Sequence, residues 1–427
     1  MAGLVVLVTG VTRFIGSELA GRLARHPEVD RVIGVDAALP EPAARARMGD
    51  ADFARVDIRN PLIARVIEAA HVDTVVHASA SATPASSAAR SMVKEMNVLG
   101  TMQLLAACQR SDSLRNLIVR STAAVYGSSS RDPAIFTEET PARSVPSSGP
   151  ARDAIDIEAY VRGFGRRRPD VRIAVPRFAD IIGPTVVTPL TRYFALSPFV
   201  PMVLGRDARI QLVHESDAVR VMEHLALKDF SGVVNVAGDG VLTLAQAIHR
   251  AGRLPLSVPA FTLGGISRVM RTARLGGFSP RQVESLTTGR VLDTTRLVER
   301  AGYQPHFTTV EAFDDFAAHL RPALPASTVR GVEKRITGTL GLLPERAGRN
   351  GDPLVIGSGG SGSAAGRIGR SATLAGPDAG GPSPEPTAGG SSSGGDTSDG
   401  DDRHDGRPRL VGITGDAAGA PRRRRTR

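Results

Sequence analysis

The first sixteen residues constrain the fold more than any other stretch. Residues 4–8 (LVVLV) form an unbroken apolar run rich in β-branched side chains, the pattern of a strand buried on both faces. Thr9, Gly10, Val11, Thr12, Arg13, Phe14, Ile15 and Gly16 follow, and an amphipathic stretch then runs to about Arg25. A buried strand that passes through a glycine turn straight into a helix predicts the opening unit of a parallel sheet. In that setting the turn brings backbone close to a diphosphate, and the helix N-terminus presents N–H groups and the positive end of its dipole.

The pattern repeats. Apolar segments at residues 31–36, 53–58, 73–77, 116–121 and 171–175 read as strands, and residues 61–70, 92–109 and 151–167 between them carry a helical period. Such alternation predicts an α/β fold, a Rossmann-like doubly wound parallel sheet covered on both faces. Residues 1–185 make up that dinucleotide-binding domain, with later crossover segments from residues 205–240. Residues 186–320 contribute mainly to a small C-terminal domain, beginning with the strongly apolar 190–204, which the resemblance set out below implies is a substrate domain. In this region Asp217 is expected to cap a helix, Thr243 to start another, residues 261–288 to be helical, and Asp293 to sit at the N-cap of a late helix.

Residues 321–349 form a possible short helical extension, weakened by Gly338 and Gly341. From 350 to 427 the chain is rich in Gly, Ser and Pro and ends PRRRRTR; it holds too little apolar surface to offset its ordering entropy, so a disordered tail is expected. The net charge is +10, but from Arg321 onward there are 16 Lys and Arg against 11 Asp and Glu, so half the excess lies outside the folded body. A specific nucleic-acid partner is therefore not implied; the basic end is a solvated terminus or a contact for an anionic surface or partner. Cys108 is the single cysteine, and no cluster of His, Cys and carboxylates has ligand spacing, so neither a disulfide nor a metal site is expected. There is no charged leader before the first strand and no apolar run of roughly eighteen residues, which makes a cytoplasmic protein the expectation.

Residues 9–16 resemble the TGxxGxxG motif of the extended short-chain dehydrogenases, the NAD-dependent epimerase/dehydratase family, with Gly10 and Gly16 on the first and third glycines and Arg13 on the second. Asp36, twenty residues beyond Gly16, stands where an acid accepts from ribose hydroxyls, which favours NAD over NADP. The resemblance implies that Gly10, Arg13, Phe14, Ile15, Gly16 and Asp36 surround the cofactor, with Asp57 and Ile58 at the adenine, Ala78, Ser79 and Ala80 alongside, and Asn97 on the helix behind the site. The guanidinium of Arg13 either neutralises the diphosphate or blocks the approach that glycine permits. His77 is expected to pack or bond at its strand end.

Residues 121–127 (STAAVYG) are similar to the family's SSxxVYG segment, which places Thr122 on the hydroxyl residue that touches the reacting sugar and Tyr126 on the substrate side. Residues 177–184 (RFADIIGP) are similar to RxxNVYGP, with Asp180 in place of the asparagine, and Arg209 lies in the segment near the nucleotide of a sugar nucleotide. Family enzymes oxidise a sugar hydroxyl with a tyrosinate, whose pKa is lowered by a lysine four residues later. Residues 150–158 (PARDAIDIE) resemble the YARDKxxxE form of that helix, with Pro150 at the tyrosine and Ala154 at the lysine. No other tyrosine repairs the pair: four residues beyond Tyr126, Tyr160, Tyr193 and Tyr303 stand Ser130, Phe164, Ser197 and Phe307. Three expectations remain open. One is an NAD-dependent enzyme acting on a nucleotide-linked sugar through Thr122 and an unconventional base, Asp153 or Asp180. The others are a non-catalytic dinucleotide-binding regulator and a scaffold. The family habit implies a homodimer.

Overall fold

The computed structural model describes residues 3–78, 94–127, 129, 131–142, 149–259 and 289–320. Ser79, Ala80, residues 261–288, the 321–349 segment and the tail lie outside them. Strands β1 (Leu4–Thr9), β2 (Val29–Asp36), β3 (Asp52–Arg55), β4 (Thr74–His77), β5 (Asn116–Val119), β6 (Ser121–Thr122) and β7 (Arg172–Phe178) alternate with helices α1 (Phe14–Ala24), α2 (Pro42–Met48), α3 (Leu62–Ala69), α4 (Gly100–Arg110) and α5 (Pro150–Arg167). The chain continues through β8 (Asp180–Ile182), α6 (Pro189–Phe194), β9 (Phe199–Val203), β10 (Arg209–Ile210), β11 (Leu212–His214), α7 (Glu215–Leu227) and β12 (Gly232–Val236). Elements β13 (Leu242–Thr243), α8 (Leu244–Arg250), β14 (Leu254–Val258), α9 (Thr295–Glu299) and α10 (Thr309–Ala318) complete the described part.

The central sheet is parallel, in the order β3-β2-β1-β4-β5-β7-β12, with β6 extending the pairing of β7. Strand order reverses between β1 and β4, which opens a crevice at their carboxyl ends. Both faces are covered. Val6, Val8, Leu19, Leu23, Met222 and Leu225 pack on one side; Leu7, Ile33, Ile67, Leu104, Ile157 and Phe164 pack on the other. This two-sided burial is why the strands read as continuous apolar runs. A separate cluster around Leu190, Phe194, Val200, Ile248, Phe313 and Phe316 gathers α6, β9, α8 and α10.

Local differences from the sequence reading have physical causes. The strand expected over 53–58 stops at Arg55, because Asp57 turns back to bond Arg59. The helix expected to start after Asp217 starts at Glu215, with the His214 ring accepting from the Ser216 amide. Asp217 is fully buried inside α7 and accepts from the amides of His306 and Phe307 and from the Tyr303 hydroxyl. It fastens the late segment to the sheet rather than capping a helix. Asp293 lies one residue before the N-cap of α9, Thr294, and its carboxylate accepts from the Thr295 amide.

Candidate active site

The turn after β1 has the geometry its glycines imply. Gly10 has φ 77°, a left-handed conformation that glycine adopts at little cost. At Gly16 an added Cβ would stand 2.3 Å from the Gly10 carbonyl oxygen, so helix α1 rests directly on the turn. Arg13 takes the N-cap of α1 in extended conformation, donates its amide to the Gly10 oxygen at 3.1 Å, and leaves its side chain exposed. Phe14 and Ile15 open the helix, and the Arg47 guanidinium lies 5.5 Å from the centre of the Phe14 ring. Asp36, at the end of β2, accepts from the Thr12 hydroxyl at 2.7 Å and from the Thr12 amide at 3.2 Å. These bonds fix its carboxylate beside the turn.

Around the turn, the Arg59 guanidinium grips Asp57 at 2.6 Å and holds its carboxyl below the usual range, against the opposing effect of burial. Ile58 is buried under Gly100, where a Cβ would meet its side chain at 2.7 Å. Ala78 is buried at the end of β4. Asn97 is buried in a turn of π-helix, Glu95–Leu99, and its Nδ2 has no hydrogen-bond partner among the described residues. His77 is a strand-end packing residue. Thr101 donates its hydroxyl to the Asn97 carbonyl, so it accepts from His77 Nε2, and Thr9 then donates to Nδ1. Burial holds this imidazole down to about 4, so it is neutral near pH 7.

The residues expected on the substrate side divide. Thr122 is half-buried, and its Oγ1 accepts from the Ala124 amide. Asp180 and Arg290 line one crevice with Gln211, Ala123 and Leu292. Desolvation by the surrounding protein raises the Asp180 carboxyl, although the residue keeps an exposed edge at the start of β8, and the cation of Arg290 opposes that rise. Arg209 is exposed on β10. Two expectations give way to buried groups. Asp153, in the first turn of α5, is 1% exposed. The Tyr126 ring is also 1% exposed, and its hydroxyl donates to Asn235 at 2.7 Å and accepts from Arg177 at 3.0 Å.

Sequence reading missed the network behind that tyrosine. Arg177 meets Glu158 through two bonds, at 2.6 and 2.9 Å, and Ser121 donates to the same carboxylate at 2.6 Å. Glu158 on α5, Arg177 on β7 and Ser121 on β6 thereby lock the start of α5 to the sheet. That start is Pro150, at the first position of the helix, where its missing N–H is no loss. Ala154, one turn on, is buried against Ala123, Val125 and Leu292. The two positions that the resemblance assigns to a base and a cation, Pro150 and Ala154, carry neither. Arg152 does not replace the cation, since it pairs with Asp156 at 2.9 Å. A cation that sequence reading passed over, Arg120, stands just beyond the end of β5.

Among the described residues no helix is long and apolar enough to cross a membrane, and no group of three His, Cys, Asp or Glu is placed to hold a metal ion. Comparison with known proteins agrees with the architecture. The pattern of the NAD dependent epimerase/dehydratase family matches residues 6–237. An uncharacterized protein of Mycobacterium tuberculosis is 47% identical over 336 residues, covering 78% of this chain and 89% of its own length. Among solved structures, a Thermotoga maritima UDP-glucose 4-epimerase with UDP-glucose aligns with TM-score 0.58 at 20% identity, over 74% of this chain and 98% of its own. A Thermus thermophilus UDP-glucose 4-epimerase in complex with NAD aligns with TM-score 0.58 at 22% identity, over 75% and 100%. At these identities the structural likeness speaks for the fold.

Proposed function

Because the chain belongs to the NAD-dependent epimerase/dehydratase family, we propose that it binds NAD at the 10–16 turn and lacks the family's tyrosine–lysine redox step. One observation carries this reading: α5, which the resemblance aligns with the family's catalytic helix, is held by Glu158 and Arg177, yet opens with Pro150 and buries Ala154. The residues at the turn suit the cofactor. Gly10 turns the chain at positive φ, Gly16 lets α1 seat directly on that turn, and the α1 N-terminus supplies N–H groups. The Asp36 carboxylate, held by Thr12, is set to accept ribose hydroxyls and to repel a 2′-phosphate. Bound there, NAD would offer a hydride acceptor to a substrate carbon.

At the positions that the resemblance assigns to tyrosine and lysine, Pro150 and Ala154 offer no group to take the hydroxyl proton as the hydride leaves. Thr122 can bond a sugar hydroxyl, but its own pKa is too high for it to act as a base at neutral pH. Two relatives of this fold are epimerases of nucleotide sugars, which supports a nucleotide-linked sugar as the second ligand. The protein then works as a dinucleotide-dependent binder or regulator. A second reading keeps turnover and rests on Asp180: its carboxyl lines the crevice and is raised by desolvation there, the direction a general base requires. Calorimetric titration of the full chain with NAD, then NADP, tests the first part. Saturable binding of NAD with much weaker binding of NADP is the expected result; no binding of either at high excess would end the proposal.

A further inference from the structure

We propose that Arg13 and Arg120 form a two-arginine clamp on the diphosphate of the dinucleotide, replacing with charge what the turn has lost in its middle glycine. The inference rests on the NAD reading above and assigns a second chain segment to that site. Arg13 leaves the turn after β1, and Arg120 leaves the end of β5. In the sheet β4 lies between those strands, so both arginines rise from carboxyl ends that flank the switch point. Neighbouring strands are about 4.8 Å apart, so the ends of β1 and β5 stand roughly 10 Å apart across β4, a gap within the reach of arginine side chains entering from both sides.

Arg120 is held in place there. Its amide donates to the His77 carbonyl at 3.1 Å, and its Nη1 donates to the Ala78 carbonyl at 3.3 Å, both at the end of β4. Its Nε is buried without a hydrogen-bond partner among the described residues. Neither arginine has a carboxylate partner among the described residues, and Asp36, the acid nearest the turn in the motif, is engaged by Thr12. Arg13 is near enough for its charge to act on Arg120, and two guanidiniums without a counter-ion repel. Burial together with the charge of Arg13 draws Arg120 down to about 10, which records both the crowding and the repulsion. A group with two negative charges placed between them removes the repulsion and meets the orphaned donor. Nucleotide sugars carry a diphosphate too, but the clamp sits on the glycine turn and the α1 N-terminus, which selects the dinucleotide.

The test is calorimetric titration of full-length protein with NAD and, separately, with UDP-glucose, for the parent chain and for Arg13→Gly, Arg120→Ser and Arg120→Lys, with thermal unfolding to verify folding. NAD affinity should fall about tenfold in Arg13→Gly and in Arg120→Ser. It should stay within about threefold in Arg120→Lys, which keeps the charge, and UDP-glucose binding should be unchanged throughout. A parent that binds NAD while the folded variants bind it equally well, or while Arg13→Gly binds it more tightly, overturns the clamp and leaves the NAD reading standing. Variants that weaken UDP-glucose binding alone overturn the clamp in the same way. A parent that binds no NAD overturns both.

Discussion

Replacing Gly16 with alanine tests whether α1 and the turn are packed as closely as a diphosphate site requires. The added Cβ would lie 2.3 Å from the Gly10 carbonyl oxygen, 2.7 Å from its carbon and 3.1 Å from the Val11 Cα. All three neighbours are backbone, so no side chain can swing aside, and the helix must back away by about 1 Å to reach ordinary contact. Overpacking of this kind costs about 1–3 kcal/mol. Alanine regains roughly 0.8–1 kcal/mol of helix propensity, so the net loss is up to about 2 kcal/mol. Urea unfolding should show the midpoint falling by up to about 1 M at constant slope. Calorimetry should show NAD affinity falling at least about tenfold, because the displaced α1 no longer aims its N–H groups at the diphosphate. A Gly16→Ala protein that is more stable than the parent and binds NAD unchanged would refute the close-packing argument.

Two further outcomes concern the supports of the site. Glu158→Ala leaves the Arg177 guanidinium, whose side chain is 11% exposed, buried without its partner, and should cost about 3–5 kcal/mol by chemical denaturation, whereas an effect under about 1 kcal/mol would show the network to be slack. His77 titrates near 4 when folded and near 6.5 when unfolded, so the unfolded chain binds the extra proton between those values. Its stabilising contribution is therefore complete above about pH 6.5 and is lost as pH falls toward 4, to a limit of about 3 kcal/mol. The gap in unfolding midpoint between the parent and His77→Gln should accordingly narrow between pH 7 and pH 5, and a constant gap would contradict a buried neutral imidazole.

The central sheet was legible because strands buried on both faces leave nothing but apolar residues in a row, as in residues 4–8 and 73–77. The start of α5 could be read from Pro150, and that of α8 from Thr243, whose side chain and Gln246 complete a reciprocal cap. What escaped depends on partners distant in sequence. Asp217 looks like a cap in its own neighbourhood, but its oxygens are taken by Tyr303, His306 and Phe307. Tyr126 looks substrate-facing within its motif, yet Asn235 and Arg177 draw its hydroxyl inward. Arg120 left a faint signal, a charge closing an otherwise apolar strand just before Ser121, but its meaning required seeing β4 set between β1 and β5. The missing base and cation at positions 150 and 154 were plain from the sequence; that the surrounding helix is nevertheless locked in place was not.

The measurement that reaches the central claim most directly is a single-turnover experiment on full-length protein saturated with NAD. Nucleotide sugars, UDP-glucose first, are added in excess while the absorbance of reduced nicotinamide is followed and the sugar is recovered for analysis of its configuration. With Pro150 and Ala154 in place of a proton acceptor and its cation, the expected record is bound NAD, no reduced cofactor and unchanged sugar. Formation of reduced cofactor, or recovery of an epimerised or dehydrated sugar, would contradict the account and direct attention to Asp180 as the base.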